Sequence, residues 1–361
     1  MKMRFPMIAS VLALFVTGPV LATESLRDQA KGLFDAIPQT PPALPGEAAT
    51  PEKLALGKML FFEPRLSDNH DMSCATCHNI SMGGVDGGSL SGGRNAQLAG
   101  REVQTVLNAV FNKSQYWDGR TADLKDQVVN SVMANPKAML KARGGPMAIN
   151  LAELNATKQR AIEQLKGIPG YVDAFKKAFP GEADPIVYDN IGRAIAIFEA
   201  TLITPDAPFD RWLKGDDQAL SDAQKQGLKL FVDKGCVTCH NGVNIGGGMY
   251  ARFGVVQTPA PEFLPPDDWG RFAVTKAIGD KYVFKVPSLR NVELTAPYFH
   301  TGSAADLKQA VAVMGETQLG QKLSAAEVDG IVDFLKSLTG RQPEVVLPIL
   351  PPRAAAPHPQ P

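Results

Sequence analysis

A duplicated cysteine–histidine motif constrains this chain more than any other feature of its sequence. The motif reads Cys-x-x-Cys-His and runs from Cys74 to His78 and again from Cys236 to His240. The chain has four cysteines in all, so every one of them belongs to a motif. Because no cysteine is left over, the sequence does not predict a fold held together by disulfides.

The motif is the attachment pattern for c-type haem. Its two thiols add to the haem vinyl groups, and the adjacent histidine supplies one axial nitrogen to the iron. A zinc site and a dithiol redox centre are the alternatives, but zinc sites bring their cysteine pairs much closer in sequence. A dithiol centre does not need a histidine directly after it. The motifs therefore predict two covalently bound haem c groups, with His78 and His240 as axial ligands.

Few residues remain to complete the coordination of the two irons. The chain has five histidines, and the other three are His70, His300 and His358. A six-coordinate haem takes a second ligand that is usually histidine or methionine. For the second haem the residues leave His300 and Met314 open, since a lone methionine is more often part of the core than a ligand.

The two motifs stand in repeated surroundings. Gly57-x-x-x-Phe61 precedes the first and Gly227-x-x-x-Phe231 precedes the second, which indicates two related modules. Helix starts are predicted by three capping patterns, which are Thr50-Pro51, Ser221-x-x-Gln224 and Ser324-x-x-Glu327. Alternation typical of strands is scarce, so the fold class is mainly α. The two glycines are expected to let a second helix cross each of these helices closely.

Composition excludes several classes of protein. The 37 Lys and Arg residues balance the 37 Asp and Glu residues, and no basic block is present. This argues against a nucleic-acid-binding protein, whose affinity depends on neutralising phosphates. A hydrophobic content of 44% is that of an ordinary globular protein and not of a disordered chain.

Boundaries are indicated at three places. Lys2 and Arg4, a short apolar run and small residues before Thr23 are typical of a cleaved signal peptide, with an uncleaved membrane anchor as the alternative. The Pro-rich break at 204–208 marks a domain boundary. The last residues are rich in proline and are expected to be extended and poorly ordered. The chain therefore divides into a signal peptide, an N-terminal haem domain, a C-terminal haem domain and a tail, at residues 1–22, 23–203, 204–342 and 343–361.

From about residue 54 to residue 340 the chain resembles the bacterial di-haem cytochrome c peroxidases, which are related to the methylamine-utilisation enzyme MauG. The matching segments lie at residues 57–62, 105–108, 116–120, 198–205, 270–272 and 295–300. The resemblance implies two cytochrome-c-like domains, each with one covalently bound haem. It also implies that the N-terminal haem is the peroxidatic one and that the C-terminal haem accepts electrons.

The resemblance assigns further residues to the two sites. It implies that Met314 is the second ligand of the C-terminal haem, that Trp117 lies between the haems, and that Gln127 assists catalysis at the N-terminal haem. It also implies one Ca²⁺ at the domain boundary, held by backbone oxygens of Thr295 and Pro297. The remaining ligand position falls on Glu102, where the family usually has asparagine, and a carboxylate is a suitable ligand for Ca²⁺.

Two residues of the family's peroxide site are replaced. A gapless count from His78 puts the distal histidine position at Arg94 and the catalytic glutamate position at Lys137. A guanidinium stays protonated and does not normally bind iron. We therefore expect the N-terminal haem to be five-coordinate or loosely ligated at rest.

The function that the resemblance implies is reduction of H2O2 to water in the periplasm. Electrons would come from a small donor, either a c-type cytochrome or a cupredoxin, and members of the family are commonly homodimers. Because Arg94 and Lys137 make the expected pocket cationic, an electron-transfer cytochrome, a sensor or a MauG-like oxidase is the alternative. Arg94 could stabilise the charge that develops on the departing oxygen, whereas Lys137 could act as a base only with a strongly lowered pKa.

Overall fold

The structure, a computed structural model, describes residues 25–67, 70–88, 100–129 and 151–353, with the side chains of 151–154 left aside. The expected signal peptide at residues 1–22 lies outside the described residues. Arg94, Lys137 and His358 also lie outside them. No helix among those described is long and apolar enough to cross a membrane.

The described residues are mainly helical, as predicted. The α-helices are α1 (Leu26–Leu33), α2 (Pro51–Phe61), α3 (Cys74–Cys77), α4 (Leu124–Val129), α5 (Leu151–Lys166), α6 (Pro169–Ala178), α7 (Tyr188–Ala200), α8 (Pro208–Leu213), α9 (Asp222–Asp233), α10 (Phe272–Thr275), α11 (Leu307–Leu319) and α12 (Ala325–Lys336). Two short strands, β1 (Tyr250–Arg252) and β2 (Val283–Lys285), form an antiparallel pair in which Tyr250 lies opposite Lys285.

The predicted helix starts are confirmed. The Thr50 side chain accepts a hydrogen bond from the Lys53 N–H at the start of α2. Ser221 and Ser324 form reciprocal capping boxes with Gln224 and Glu327 at the starts of α9 and α12. These caps satisfy backbone N–H groups that the first helical turn leaves without partners.

The same helix crossing occurs once in each half of the chain. In the N-terminal module α2 crosses α7, and a Cβ placed on Gly57 would lie 1.9 Å from the carbonyl oxygen of Ala194. In the C-terminal module α9 crosses α12, and a Cβ on Gly227 would lie 1.9 Å from the carbonyl oxygen of Gly330. Glycine is therefore required at both crossings, as the duplicated pattern predicts.

The beginning of the described chain packs against the second module. Phe34, just after α1, makes an edge-to-face contact with Phe209 of α8, with ring centroids 5.5 Å apart. The Gly242 N–H donates to the Leu33 carbonyl oxygen, and the Arg290 guanidinium donates to that of Asp35. The segment of α1 and Phe34, which precedes the N-terminal motif in the chain, thus packs in the core of the C-terminal module.

The other end of the chain packs against the first module. After α12 the chain runs over the N-terminal module, where Val345 packs on the hydrophobic core. The Arg65 guanidinium donates to the Pro351 carbonyl oxygen at 2.9 Å, and Arg353 contacts Nδ1 of His70 at 3.0 Å. The tail was expected to be poorly ordered, but residues 343–353 are extended and docked.

The expected domain boundary is a buried joint. The helix α7 ends at Ala200, as the Pro-rich break predicts. Thr204 then exchanges two hydrogen bonds with the Asn108 side chain, which donates to its hydroxyl at 2.7 Å and accepts from its N–H at 2.8 Å. The Asn291 side chain donates to the same hydroxyl at 2.9 Å. The joint thus ties the two modules together.

Candidate haem sites

The second motif borders a large cavity of about 390 Å³ in the C-terminal module. Cys236, Cys239 and His240 lie on its wall. Nδ1 of His240 is 3.2 Å from the Ile245 carbonyl oxygen, and a carbonyl can only accept, so Nδ1 carries the proton. Burial lowers the pKa of His240 to about 4, which keeps the ring neutral. Nε2 therefore keeps a free lone pair, as an iron ligand requires.

Met314 lines the same cavity as His240. It lies on α11, which packs against α12. His300, the other residue that the sequence left open, also borders this cavity, but its ring stacks on Phe284 at 4.2 Å. Its Nε2 lies 3.6 Å from a carboxylate oxygen of Asp268. Both residues therefore border the cavity, and Met314 as the second ligand stays a prediction.

The first motif borders a second cavity in the N-terminal module. Cys77, His78 and Gln127 lie on its wall, so the structure brings Gln127 to the motif as predicted. Burial lowers the pKa of His78, which keeps this ring neutral as well. Backbone groups of Gly84 and Gln104 lie close to the His78 ring, but its buried Nδ1 makes no hydrogen bond of good geometry with a described residue. Cys77 and a neutral imidazole at one cavity wall, with Cys74 in the same helix α3, fit a covalently attached haem.

Two further residues that were predicted at this cavity are Arg94 and Lys137. Both lie outside the described residues. The expectation that the N-terminal iron is five-coordinate or loosely ligated at rest therefore stays a prediction.

A carboxyl group that the sequence analysis assigned no role lies on the wall of the N-terminal cavity. Glu199 belongs to α7 and is only 3% exposed. Burial raises its pKa to about 8, and no described residue forms a hydrogen bond or an ion pair with the carboxyl. A lone acid in the apolar run of α7 was the signal in the sequence, because such a helix has no exposed face to carry a charge.

Trp117 separates the two cavities. Its side chain borders both of them, together with the segment 102–105. The indole N–H donates to the Glu102 carbonyl oxygen at 3.0 Å, which fixes the ring, and the ring centroid lies 6.0 Å from that of His300. The aromatic side chain thus occupies the position between the cavities that the resemblance implied.

A buried charge cluster joins the modules next to Trp117. Arg101 donates to both carboxylate oxygens of Asp268, at 2.8 and 2.5 Å, and to Asp118 at 2.9 Å. Asp118 also accepts from Arg120. These ion pairs hold the pKa of both carboxyls below the usual range, against the effect of burial. No local sequence pattern predicts this cluster, because its members lie as far apart in the chain as Arg101 and Asp268.

The residues expected at a calcium site lie together along the C-terminal cavity. Glu102, Thr295 and Pro297 all border it. Burial and the nearby Asp86 carboxylate raise the pKa of Glu102 well above its usual value, and a cation would relieve this. No group of three or more His, Cys, Asp or Glu residues forms a metal site in the described part of the chain. Calcium at this position would therefore depend on backbone carbonyl oxygens.

Two family models together match most of the chain. A family model described as di-haem cytochrome c peroxidase matches residues 51–218, and a cytochrome c model matches residues 224–339. The cytochrome c domains imply covalently bound haem c.

Individual relatives are similar over nearly their full length. The chain is 48% identical to cytochrome c551 peroxidase of Pseudomonas aeruginosa, over 95% of this chain and 94% of that protein. It is 32% identical to the methylamine utilization protein MauG of Methylorubrum extorquens, over 93% and 92% of the two chains.

Solved structures show the same fold. A MauG-like protein associated with microbial copper homeostasis has a TM-score of 0.70 at 25% identity, covering 84% of this chain and 94% of that one. The di-haem peroxidase BthA of Burkholderia thailandensis has a TM-score of 0.63 at 20% identity, covering 81% and 86%.

Proposed function

Because the chain belongs to the di-haem cytochrome c peroxidase and MauG family, we propose that it is a periplasmic peroxidase that reduces H2O2 to water. Each turnover takes two electrons and two protons for one H2O2 and yields two waters. The observation that supports this most directly is that Trp117 borders both motif cavities. An aromatic ring in this position shortens the path that electrons take from one site to the other.

Two haem c groups are proposed, one in each cavity. Cys74 and Cys77 would hold the first by thioether bonds, with His78 as its axial ligand. The second haem would be attached through Cys236 and Cys239. His240 and the side-chain sulfur of Met314 would bind its iron. When bound, the haems supply redox-active iron that accepts electrons in the C-terminal module and reduces peroxide in the N-terminal module.

The remaining residues act on the substrate and its charge. We assign to the Gln127 amide the role of orienting H2O2 by hydrogen bonds in the N-terminal cavity. Arg94 would stabilise the negative charge that develops on the departing oxygen. Lys137 would serve as a base only if its surroundings strongly lower its pKa.

The cellular location, the electron donor and the oligomeric state are proposed from the family. The signal peptide would direct the chain to the periplasm, where a small c-type cytochrome or cupredoxin donates electrons to the C-terminal haem. The protein would form a homodimer. Each chain would bind one Ca²⁺ through Glu102, Thr295 and Pro297.

A second candidate function follows from the distal replacements. Two cations, Arg94 and Lys137, stand where the family has histidine and glutamate. A cationic pocket attracts an anionic ligand or substrate more than neutral peroxide. A MauG-like oxidase, a sensor or an electron-transfer cytochrome would then use the same two haems without efficient peroxide turnover.

The test is steady-state H2O2 reduction with a reduced c-type cytochrome as donor. We expect the wild-type protein to oxidise two donor molecules per H2O2, and a Met314→Leu variant to lose this donor oxidation because the C-terminal site no longer has its thioether ligand. A Lys137→Glu variant is measured beside them. If wild type is inactive and Lys137→Glu restores turnover, the second candidate function replaces the first.

A further inference from the structure

The two helix crossings make corresponding contacts at their glycines, and this relates one residue of the N-terminal cavity to one of the C-terminal cavity. A Cβ on Gly57 would lie 3.1 Å from the Phe198 Cβ, and a Cβ on Gly227 would lie 3.0 Å from the Phe334 Cβ. Phe198 and Phe334 are thus equivalent. The next residue is Glu199 in α7 and Leu335 in α12, and each borders the motif cavity of its own module.

Packing alone does not explain an acid at the first of these positions. Glu199 and Leu335 are both only 3% exposed, so the site is as buried in one module as in the other. A buried carboxyl without a hydrogen-bond or ion-pair partner destabilises a fold, whereas leucine at the equivalent position stabilises it. Such a group in a cavity wall is a candidate for function.

Few other titratable groups in the wall of this cavity could perform the function of the Glu199 carboxyl. The Glu199 carboxyl interacts electrostatically with Tyr116 and with Cys74, whose thiol the proposed thioether bond would remove from titration. The titratable and charged residues on the wall besides Glu199 are Cys77, His78, Arg101, Glu102, Tyr116 and Arg120. Arg101 and Arg120 are already paired with Asp118. Glu102 is the competing carboxyl, but it borders both cavities and not one.

We propose that Glu199 couples proton uptake to electron uptake in the N-terminal module. Above its pKa, where the Glu199 carboxyl is ionised, an electron that reaches the N-terminal site from the donor makes the negative charge of the carboxylate less favourable. A proton from solvent then binds a carboxylate oxygen and forms the O–H bond, so one electron and one proton enter together. Reoxidation releases the proton into the cavity where peroxide consumes protons. Glu199 therefore compensates the charge of the incoming electron and does not react with the substrate itself. The inference rests on the proposed function.

Two properties of the group support this assignment. Its pKa of about 8 lies close enough to neutral pH for a nearby change of charge to alter its protonation. The C-terminal module, to which the proposed function gives electron transfer alone, has leucine at the equivalent position and needs no proton there.

The test is the reduction potential of each haem as a function of pH, followed separately by EPR-monitored titration of the haem-loaded protein without peroxide. We expect the N-terminal potential of wild type to fall as pH rises, approaching the 59 mV per tenfold change in proton concentration of a one-electron, one-proton couple. In Glu199→Gln the slope should vanish, with a potential that matches wild type at low pH and exceeds it at high pH. The C-terminal potential should be the same in both proteins.

A second pair of variants protects the test from a folding failure. Glu199→Leu copies the residue that packs in the other module and should also give a flat N-terminal potential. Leu335→Glu introduces the acid into the C-terminal module and should make that potential depend on pH. A redox-difference infrared spectrum should show a protonated carboxylic acid on reduction of wild type, and this band should be missing in Glu199→Gln.

Three results would overturn the inference. These are a wild-type N-terminal potential that does not change with pH, a slope that survives in Glu199→Gln, and a C-terminal potential that stays flat in Leu335→Glu. A slope that instead disappears in Glu102→Gln from both haems would assign the proton to Glu102. Because no peroxide is present, these results are independent of whether the protein turns over H2O2.

Discussion

The N-terminal and C-terminal modules share a scaffold and differ in what lines their cavities. Both cross two helices at a glycine in van der Waals contact with the opposing backbone. In the C-terminal module the motif histidine has a hydrogen-bonded Nδ1 and faces a cavity lined by Met314 and Leu335. In the N-terminal module Nδ1 of His78 makes no hydrogen bond of good geometry with a described residue, and the cavity carries Gln127 and Glu199. The comparison shows that duplication preserved the crossing while the cavity walls diverged.

The largest expected effect tests whether the two modules behave as one unit. Asp268→Asn removes a charge that pairs with buried Arg101 across the modules, and breaking a buried pair costs about 3–5 kcal/mol. We expect the free energy of unfolding to fall by that amount and the two modules to unfold at different denaturant concentrations. Asp210→Asn is the matched control, because it breaks the buried Arg290 pair inside the C-terminal module.

Chemical denaturation of the holoprotein, monitored by haem absorption and by circular dichroism, measures both quantities. The control should lose stability and keep a single transition. If Asp268→Asn also unfolds in one transition by both probes, the charge cluster is not what couples the modules.

The next prediction concerns the position at which the two cavities differ, which is Glu199 in the N-terminal module and Leu335 in the C-terminal module. It tests the effect of the acid on the free energy of unfolding. Below about pH 4 the Glu199 carboxyl is protonated in both states, but the unfolded chain loses its proton as pH rises while the folded chain keeps it until about pH 8. This group therefore lowers the free energy of unfolding by about 1.4 kcal/mol per pH unit between those values. Glu199→Gln should remove this loss, which amounts to about 4 kcal/mol between pH 5 and pH 8.

Denaturation at pH 5 and at pH 8 checks the sign. The variant should gain stability over wild type at pH 8 relative to pH 5, and the exposed Glu163→Gln should show no such difference. A stability gap between Glu199→Gln and wild type that stays constant from pH 5 to pH 8 would contradict the buried, unpaired state of the carboxyl.

The smallest of the three effects tests whether the crossings are equivalent. Gly57→Ala and Gly227→Ala each place a methyl group against a carbonyl oxygen of the opposing helix, and such overpacking costs about 1–3 kcal/mol. We expect similar losses of stability in the two variants, measured by thermal unfolding. Gly32→Ala is the control, because a Cβ there meets no atom within 4 Å and alanine favours the helix α1. Unequal losses at Gly57 and Gly227 would show that the two modules no longer share one geometry.

The sequence predicted the features that depend on residues close together in the chain. The motifs, the caps at Thr50, Ser221 and Ser324, and the need for glycine at the crossings follow from local patterns. A resemblance placed Trp117 and Met314 at the cavities, where the structure also has them.

What the sequence did not predict depends on tertiary packing. Burial decides that the Glu199 carboxyl has no partner among the described residues and that Arg101 pairs with Asp268, and no local pattern reports burial between distant segments. The tail was expected to be poorly ordered because of its prolines. Proline also reduces the entropy that a segment loses on docking, and Val345 supplies apolar contact with the first module.

The packing of each chain end on the opposite module has a consequence for biosynthesis. Proteins with two modules usually fold the first while the second is still being made. Here α1 leaves the ribosome early, but its partners Phe209 and Gly242 are synthesised much later. The residues that complete the first module, from Val345 to Arg353, are among the last to appear. Neither module can reach its final packing during synthesis, because each waits for residues that are made much later in the chain.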